Sequence, residues 1–152
     1  MKVLITGGCG FIGSNLSKKL LELGWQVDIV DDMSSGTLDS LAVLPAGKKM
    51  RVVPDSTLLT AFEESESKIR TQDDLLVIQG CMSSLSVLDR IARGTYDYVF
   101  HQAAIPRVLY SVENPAETTA VNIGNAISLF EACIGSVKRI IVASSSSVYG
   151  GP

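Results

Sequence analysis

The octet Thr6-Gly7-Gly8-Cys9-Gly10-Phe11-Ile12-Gly13 holds four glycines near the front of the chain. Before it, Lys2-Val3-Leu4-Ile5 reads as a short strand of branched apolar residues. After it, Leu16, Leu20 and Leu23 fall at helical spacing, and Gly24 sits where a helix would stop. The octet is therefore a strand-to-helix turn. One glycine would serve a plain turn. Several glycines let the backbone turn sharply and approach a pyrophosphate, and the helix start adds free N–H groups and a positive dipole end. The spacing predicts a nucleotide phosphate cradle. A Walker-type NTPase is excluded, because no Gly-Lys-Ser/Thr follows the glycines to hold a terminal phosphate and Mg²⁺.

The rest of the chain alternates apolar strands with amphipathic helices. Val27–Asp31, Leu75–Gln79, Tyr98–His101 and Arg139–Ala143 read as the second to fifth strands. Helices are expected over Leu85–Ala92 and from about Ala116 to Ile134, with a short one around Leu38–Leu44 and a charged one over Leu58–Thr71. Met50–Val53 reads only as an extended piece within the elaborated connection from Ala46 to Asp74. Continuous apolar strands are buried on both faces, and strand–helix alternation implies parallel pairing through crossovers. The expected fold class is α/β, a doubly wound Rossmann-type parallel sheet ordered 3-2-1-4-5. Ligands in such sheets sit at the carboxyl ends of the strands.

Asp31 ends the second strand, eighteen residues after Gly13. A carboxylate there accepts hydrogen bonds from both hydroxyls of an adenosine ribose and repels a 2′-phosphate. The next basic residue is Lys48. NAD is therefore expected over NADP. The plainer reading of Asp31 is a turn cap, since Asp31-Asp32-Met33-Ser34-Ser35-Gly36 is turn-like in composition.

The 152 residues suffice for one domain with a sizeable core. With a net charge of −3 and no basic cluster larger than pairs such as Lys18-Lys19 and Lys48-Lys49, no nucleic-acid footprint is visible. No apolar run is long enough to span a membrane, and Lys2 is followed by only three apolar residues before the glycines, unlike a secretory signal. Cys9, Cys81 and Cys133 lie far apart without a CxxC, which argues against a disulfide framework or metal site and fits a reducing cytoplasm.

The spacing Gly7-x-x-Gly10-x-x-Gly13, with Thr6 in front and Phe11-Ile12 inside, resembles the extended short-chain dehydrogenase/reductase family. Further pieces follow in that family's order. They are Val30–Gly36, His101-Gln102-Ala103-Ala104-Ile105-Pro106, Val112-Glu113-Asn114-Pro115 with Val121-Asn122, and Ser144-Ser145-Ser146-Ser147-Val148-Tyr149-Gly150. Within the family the chain is most similar to nucleotide-sugar epimerases and dehydratases, UDP-glucose and UDP-N-acetylglucosamine 4-epimerases especially. The resemblance implies NAD as cofactor and a UDP-sugar as substrate. It implies that Gly7, Gly10, Phe11, Ile12 and Gly13 hold the pyrophosphate and that Asp31 holds the ribose. Asp32 and Met33 would line the adenosine, Ala103 and Ala104 would lie along the cofactor, and Ser144 would reach the nicotinamide end. Ser145 takes the active-site Ser/Thr position, its hydroxyl bonding the sugar oxygen that loses or gains a proton. His101 is expected to make one structural hydrogen bond.

Two departures stand out. Family members carry Gly-Asp after the third strand, where the Asp meets the adenine amino group. Here Gly80-Cys81 stands there, and a thiol is a poor acceptor, although Met82 still offers a backbone contact. The lost bond is worth about 1 kcal/mol. The second departure is the proton-transfer pair Tyr-x-x-x-Lys, which none of the four tyrosines provides. In the family that Tyr takes a hydroxyl proton while hydride passes to the nicotinamide, and the Lys lowers its pKa. Residues 1–152 are thus expected to form an NAD-binding domain that is incomplete at its C-terminal side, without a substrate domain and without turnover alone. The expected chemistry of the intact enzyme is transient oxidation at sugar C4 to a 4-keto intermediate, then return of hydride to the other face. The alternatives are a 4,6-dehydratase and a non-catalytic dinucleotide-binding or sensor module. The fifth strand would leave an open sheet edge, which a homodimer or a second chain would cover.

Overall fold

The computed structural model describes residues 1–42, 44–60 and 74–150. Among these residues, six strands are β1 (Lys2–Thr6), β2 (Gln26–Asp31), β3 (Lys49–Pro54), β4 (Asp74–Gln79), β5 (Tyr98–His101) and β6 (Arg139–Val142). They form one sheet ordered β3-β4-β2-β1-β5-β6, and every pairing is parallel. The helices are α1 (Phe11–Glu22), α2 (Asp55–Thr60), α3 (Leu85–Ala92), α4 (Val108–Glu113), α5 (Pro115–Thr119) and α6 (Ala126–Cys133).

Strand side chains alternate between two cores. Val3, Ile5, Val27, Ile29, Leu75 and Val77 join Leu20 and Leu21 of α1 on one face. Leu4, Val30, Leu76, Ile78 and Val99 join Val87 and Ile91 of α3 and Leu129 and Cys133 of α6 on the other. This two-sided burial explains why the strands are apolar at every position rather than at every second one. Each fully buried Leu, Ile or Val contributes roughly 1.5–3 kcal/mol relative to exposure.

A polar cluster sits inside the second core. Asp28 of β2 is fully buried, and its Oδ2 accepts from Arg90 Nη2 at 3.2 Å and from the Tyr96 hydroxyl at 3.0 Å. Arg90 Nε also donates to the Tyr96 oxygen at 3.1 Å. Burial first, and the Asp28 charge second, drive the Tyr96 hydroxyl well above the ordinary tyrosine range, so it stays a proton donor.

The expected order 3-2-1-4-5 corresponds to β4-β2-β1-β5-β6. The sheet has one strand more than expected. Residues 49–54 are not a mere extended piece but strand β3, paired with β4 from Lys49↔Asp74 to Pro54↔Gln79. Of its residues only Val53 is buried, so the edge strand lacks the apolar run that marks the others. The helix expected over 116–134 is helical in three parts. α5 leads into a π-helical segment, Ala120–Asn125, which leads into α6. A wider turn of this kind carries no composition signal, and its wider winding commonly marks functional sites. The short helix near Leu38 is a 3-10 turn over Leu38–Leu41. The charged helix expected at Leu58–Thr71 begins earlier, as α2, and its residues 61–71 lie outside the described residues. β6 pairs with β5 alone among the described residues, and its Val142 is 50% exposed.

The fold reverses direction at β1. The chain runs from β1 to β2 on one side, then returns after β4 to place β5 on the other. A crevice opens at such a switch point, beyond the carboxyl ends of the strands.

Candidate functional site

The crevice is a cleft of about 390 Å³. Gly7, Gly10, Phe11, Ile12 and Gly13 line it from the β1–α1 turn, and Asp31 and Asp32 from the end of β2. Cys81 and Met82 line it from the end of β4, and Ala103 and Ala104 from the end of β5.

The turn is built closely enough to require its glycines. Gly7 has φ +67°, and a Cβ there would come within 2.8 Å of the Ala103 backbone. A Cβ on Gly13 would strike the Gly7 carbonyl oxygen and approach Gly8 Cα to 2.6 Å. Helix α1 then starts at Phe11, its N-cap Gly10 offers no side-chain cap, and no acidic residue stands in its first turn. Among the described residues the first-turn N–H groups and the positive helix end thus meet no side-chain cap and no first-turn carboxylate. Phe11 and Ile12 are 85% and 62% exposed, so the helix start presents apolar side chains as well as bare amides. The site suits an anion held against backbone.

Asp31 is buried and reaches back under this turn. Its Oδ2 accepts from the Cys9 N–H at 2.9 Å and its Oδ1 from the Met33 N–H at 2.9 Å. Each carboxylate oxygen has a further lone pair for a hydroxyl. Asp31 therefore caps the turn and also lines the cleft. The Cys9 thiol is fully buried and pushed up to about 12, by desolvation first and by the Asp31 charge second.

The β5 end is held by Thr6 and His101. Thr6 Oγ accepts from the Gln102 and Ala103 N–H groups at 3.2 Å each, and contacts His101 Nδ1 at 2.8 Å. A Thr6 hydroxyl donating to Nδ1 pairs with a neutral imidazole that carries its proton on Nε2. Burial lowers the His101 pKa in agreement. His101 has the structural role expected of it.

Three anticipated residues are not among those lining the cleft: Met33, Ser144 and Ser145. Met33 takes φ +61°, gives its N–H to Asp31, and packs against the α1-side core. Ser144 and Ser145 follow β6, two strands from β1, and both are exposed. Ser145 Oγ accepts from the Ser147 N–H at 3.2 Å and caps a 3-10 turn over Ser146–Tyr149.

Val121 and Asn125 of the π-helical segment also line the cleft, and sequence reasoning missed both. Between them, Asn122 clamps the loop after β5. It accepts from the Ile105 N–H at 2.8 Å and donates to the Ile105 carbonyl at 3.1 Å. Val121-Asn122 signalled only the long helix, and no spacing rule foretells that a π turn brings Asn125 to the cleft. Among the described residues no helix is long and apolar enough to cross a membrane, and no His/Cys/Asp/Glu group suits a metal.

Comparisons with known proteins agree with this geometry. A pea bifunctional UDP-glucose 4-epimerase and UDP-xylose 4-epimerase is 31% identical over 152 residues, which are 99% of this chain and 38% of that protein. A UDP-N-acetylglucosamine 4-epimerase from Methanobrevibacter ruminantium, solved with UDP-N-acetylmuramic acid, superposes with a TM-score of 0.72 at 31% identity. It is covered over 40% of its length by 99% of this chain. A Thermus thermophilus UDP-glucose 4-epimerase solved with NAD has a TM-score of 0.62 at 27% identity, over 90% of this chain and 34% of that one. The chain thus spans about two fifths of the length of the pea relative. The profile of the NAD dependent epimerase/dehydratase family matches residues 3–152, and the chain belongs to that family.

Proposed function

We propose that this chain is the NAD-binding portion of a nucleotide-sugar 4-epimerase acting on a UDP-sugar. The observation that carries the reading is the paired arrangement of the bare α1 start and Asp31. An anion cradle that a Cβ would fill lies beside a buried carboxylate with spare lone pairs. Gly7, Gly10, Phe11, Ile12 and Gly13 hold the pyrophosphate in this reading, and Asp31 holds the adenosine ribose with Asp32 beside it. Cys81 and Met82 face the base, while Ala103 and Ala104 lie along the cofactor. NAD, when bound, supplies the hydride acceptor and donor for reversible oxidation at C4 of the sugar.

Ser144 and Ser145 serve the far end of the cofactor in the same proposal. Ser145 bonds the sugar oxygen at C4, giving up its present bond to the Ser147 N–H. No Tyr-x-x-x-Lys occurs in the 152 residues, so the proton relay is not assigned to any of them. The pea and Thermus relatives named as UDP-glucose 4-epimerases support UDP-glucose as the first substrate to try.

The test is to express the whole reading frame that carries this chain and supply UDP-glucose with NAD. Formation of UDP-galactose supports the proposal. A 4-keto-6-deoxy product would replace it with a dehydratase, and NAD binding without turnover of any nucleotide sugar would leave a dinucleotide-binding module.

A further inference from the structure

The strand order fixes where the base of a bound dinucleotide falls. A pyrophosphate at α1 and a ribose at Asp31 direct the base away from β1, across the end of β2 toward its other neighbour, β4. The wall there is Gly80, Cys81 and Met82. Adenine differs from other purines by a 6-amino donor beside the N1 acceptor. A site that reads it needs one acceptor and one donor side by side. The Met82 N–H is the backbone donor of this wall. The Cys81 thiol is a weak acceptor, and its Sγ is already engaged by Ser83 Oγ at 3.2 Å.

A second side chain reaches this corner from across the cleft. Asn125 Nδ2 donates to Cys81 Sγ at 3.5 Å. Its carbonyl oxygen has no partner among the described residues and remains accessible. With one N–H turned to sulfur, the carboxamide oxygen is left to accept within the cleft that Asn125 lines.

We infer that Asn125 supplies the side-chain acceptor for the adenine 6-amino group, with the Cys81 thiol holding its carboxamide in register. This rests on the reading of the cleft as a dinucleotide site and adds to it the residue that selects adenine. Asn125 is half-buried at the end of the π-helical segment, and the π turn is what brings it opposite β4. The selectivity of the base pocket thus comes from the helix that follows β5 rather than from the loop that follows β4.

The test is calorimetric titration of the chain with NAD and with its analogue carrying purine in place of adenine, which lacks only the 6-amino group. The unsubstituted chain is expected to bind NAD roughly five- to tenfold more tightly than the analogue, the worth of one neutral hydrogen bond. Asn125→Ala is expected to bring the two affinities within about twofold. Asn125→Asp, which keeps an acceptor, is expected to retain the preference. Equal affinities in the unsubstituted chain would overturn the inference without any variant. So would an undiminished preference in Asn125→Ala. A preference erased by Asp55→Ala instead would assign the acceptor to Asp55, whose carboxyl abuts Gly80. Failure of the unsubstituted chain to bind either dinucleotide overturns the underlying cofactor reading as well, so the two failures are distinct.

Discussion

Replacing Asp31 with Asn separates its two duties. Both carboxylate oxygens accept a backbone N–H at 2.9 Å, one from Cys9 and one from Met33. An amide has one acceptor oxygen, so its NH₂ must face one of those N–H groups. One charge-assisted bond is lost and a donor is left poorly satisfied in a buried place, which costs folding about 2–3 kcal/mol. Binding changes differently for the two dinucleotides. NAD loses a hydrogen bond from its ribose to a charged acceptor, about 1.5 kcal/mol or roughly tenfold in Kd. NADP gains, because its 2′-phosphate no longer meets a carboxylate. At 4 Å and an effective dielectric of 20 that repulsion is about 4 kcal/mol per pair of unit charges, before screening by salt. Even after heavy screening the relief exceeds tenfold, so the NAD:NADP preference should fall by roughly 100-fold. Calorimetry with both dinucleotides in one buffer, with a urea denaturation curve for each protein, reads all three numbers. If both dinucleotides weaken by the same factor, Asp31 only buckles the turn and does not read the ribose.

Other perturbations report on the parts that hold the cleft. Tyr96→Phe removes the hydroxyl shared by Asp28 and Arg90, and should cost roughly 2–3 kcal/mol in urea denaturation. None of the three residues lines the cleft, so its NAD affinity should not change. Asn122→Ala releases both bonds to Ile105, and should weaken NAD about tenfold while costing only about 1–2 kcal/mol of stability. His101 is held neutral, with its pKa below the ordinary 6.5. The unfolded chain then binds more protons than the folded one below that pH. Stability should be level above about pH 7 and fall as pH drops through 6.5 toward the lower folded pKa. Thermal melting of His101→Gln against the unsubstituted chain should show that this acid-side slope is lost.

What could be read beforehand was what depends on local composition. The four glycines, the Asp at the end of β2 and the apolar strands each carry a strong signal, because burial on both faces and close backbone approach permit few residue types. The core strand order followed from the parallel alternation. β3 was only half legible, because an edge strand buries little and Val53 is its one buried residue. Asn125 was illegible, because its place in the cleft depends on a π turn in the middle of a helix and on contact with Cys81, 44 residues away. Met33 joins the adenosine only through the resemblance, and its left-handed backbone packs the half-buried side chain against the α1-side core. Ser145 takes the active-site position through the resemblance, and its bond to the Ser147 N–H, which caps a 3-10 turn, has no composition signal.

The measurement that bears most directly on the account is an NAD titration followed by backbone amide NMR of the chain. Saturable shifts are expected at Gly7–Gly13, Asp31–Met33, Cys81–Met82, Gln102–Ile105, Val121–Asn125 and Ser144–Ser145, with much smaller changes for NADP at equal concentration. No shifts at millimolar NAD, or shifts centred elsewhere on the sheet, would contradict it.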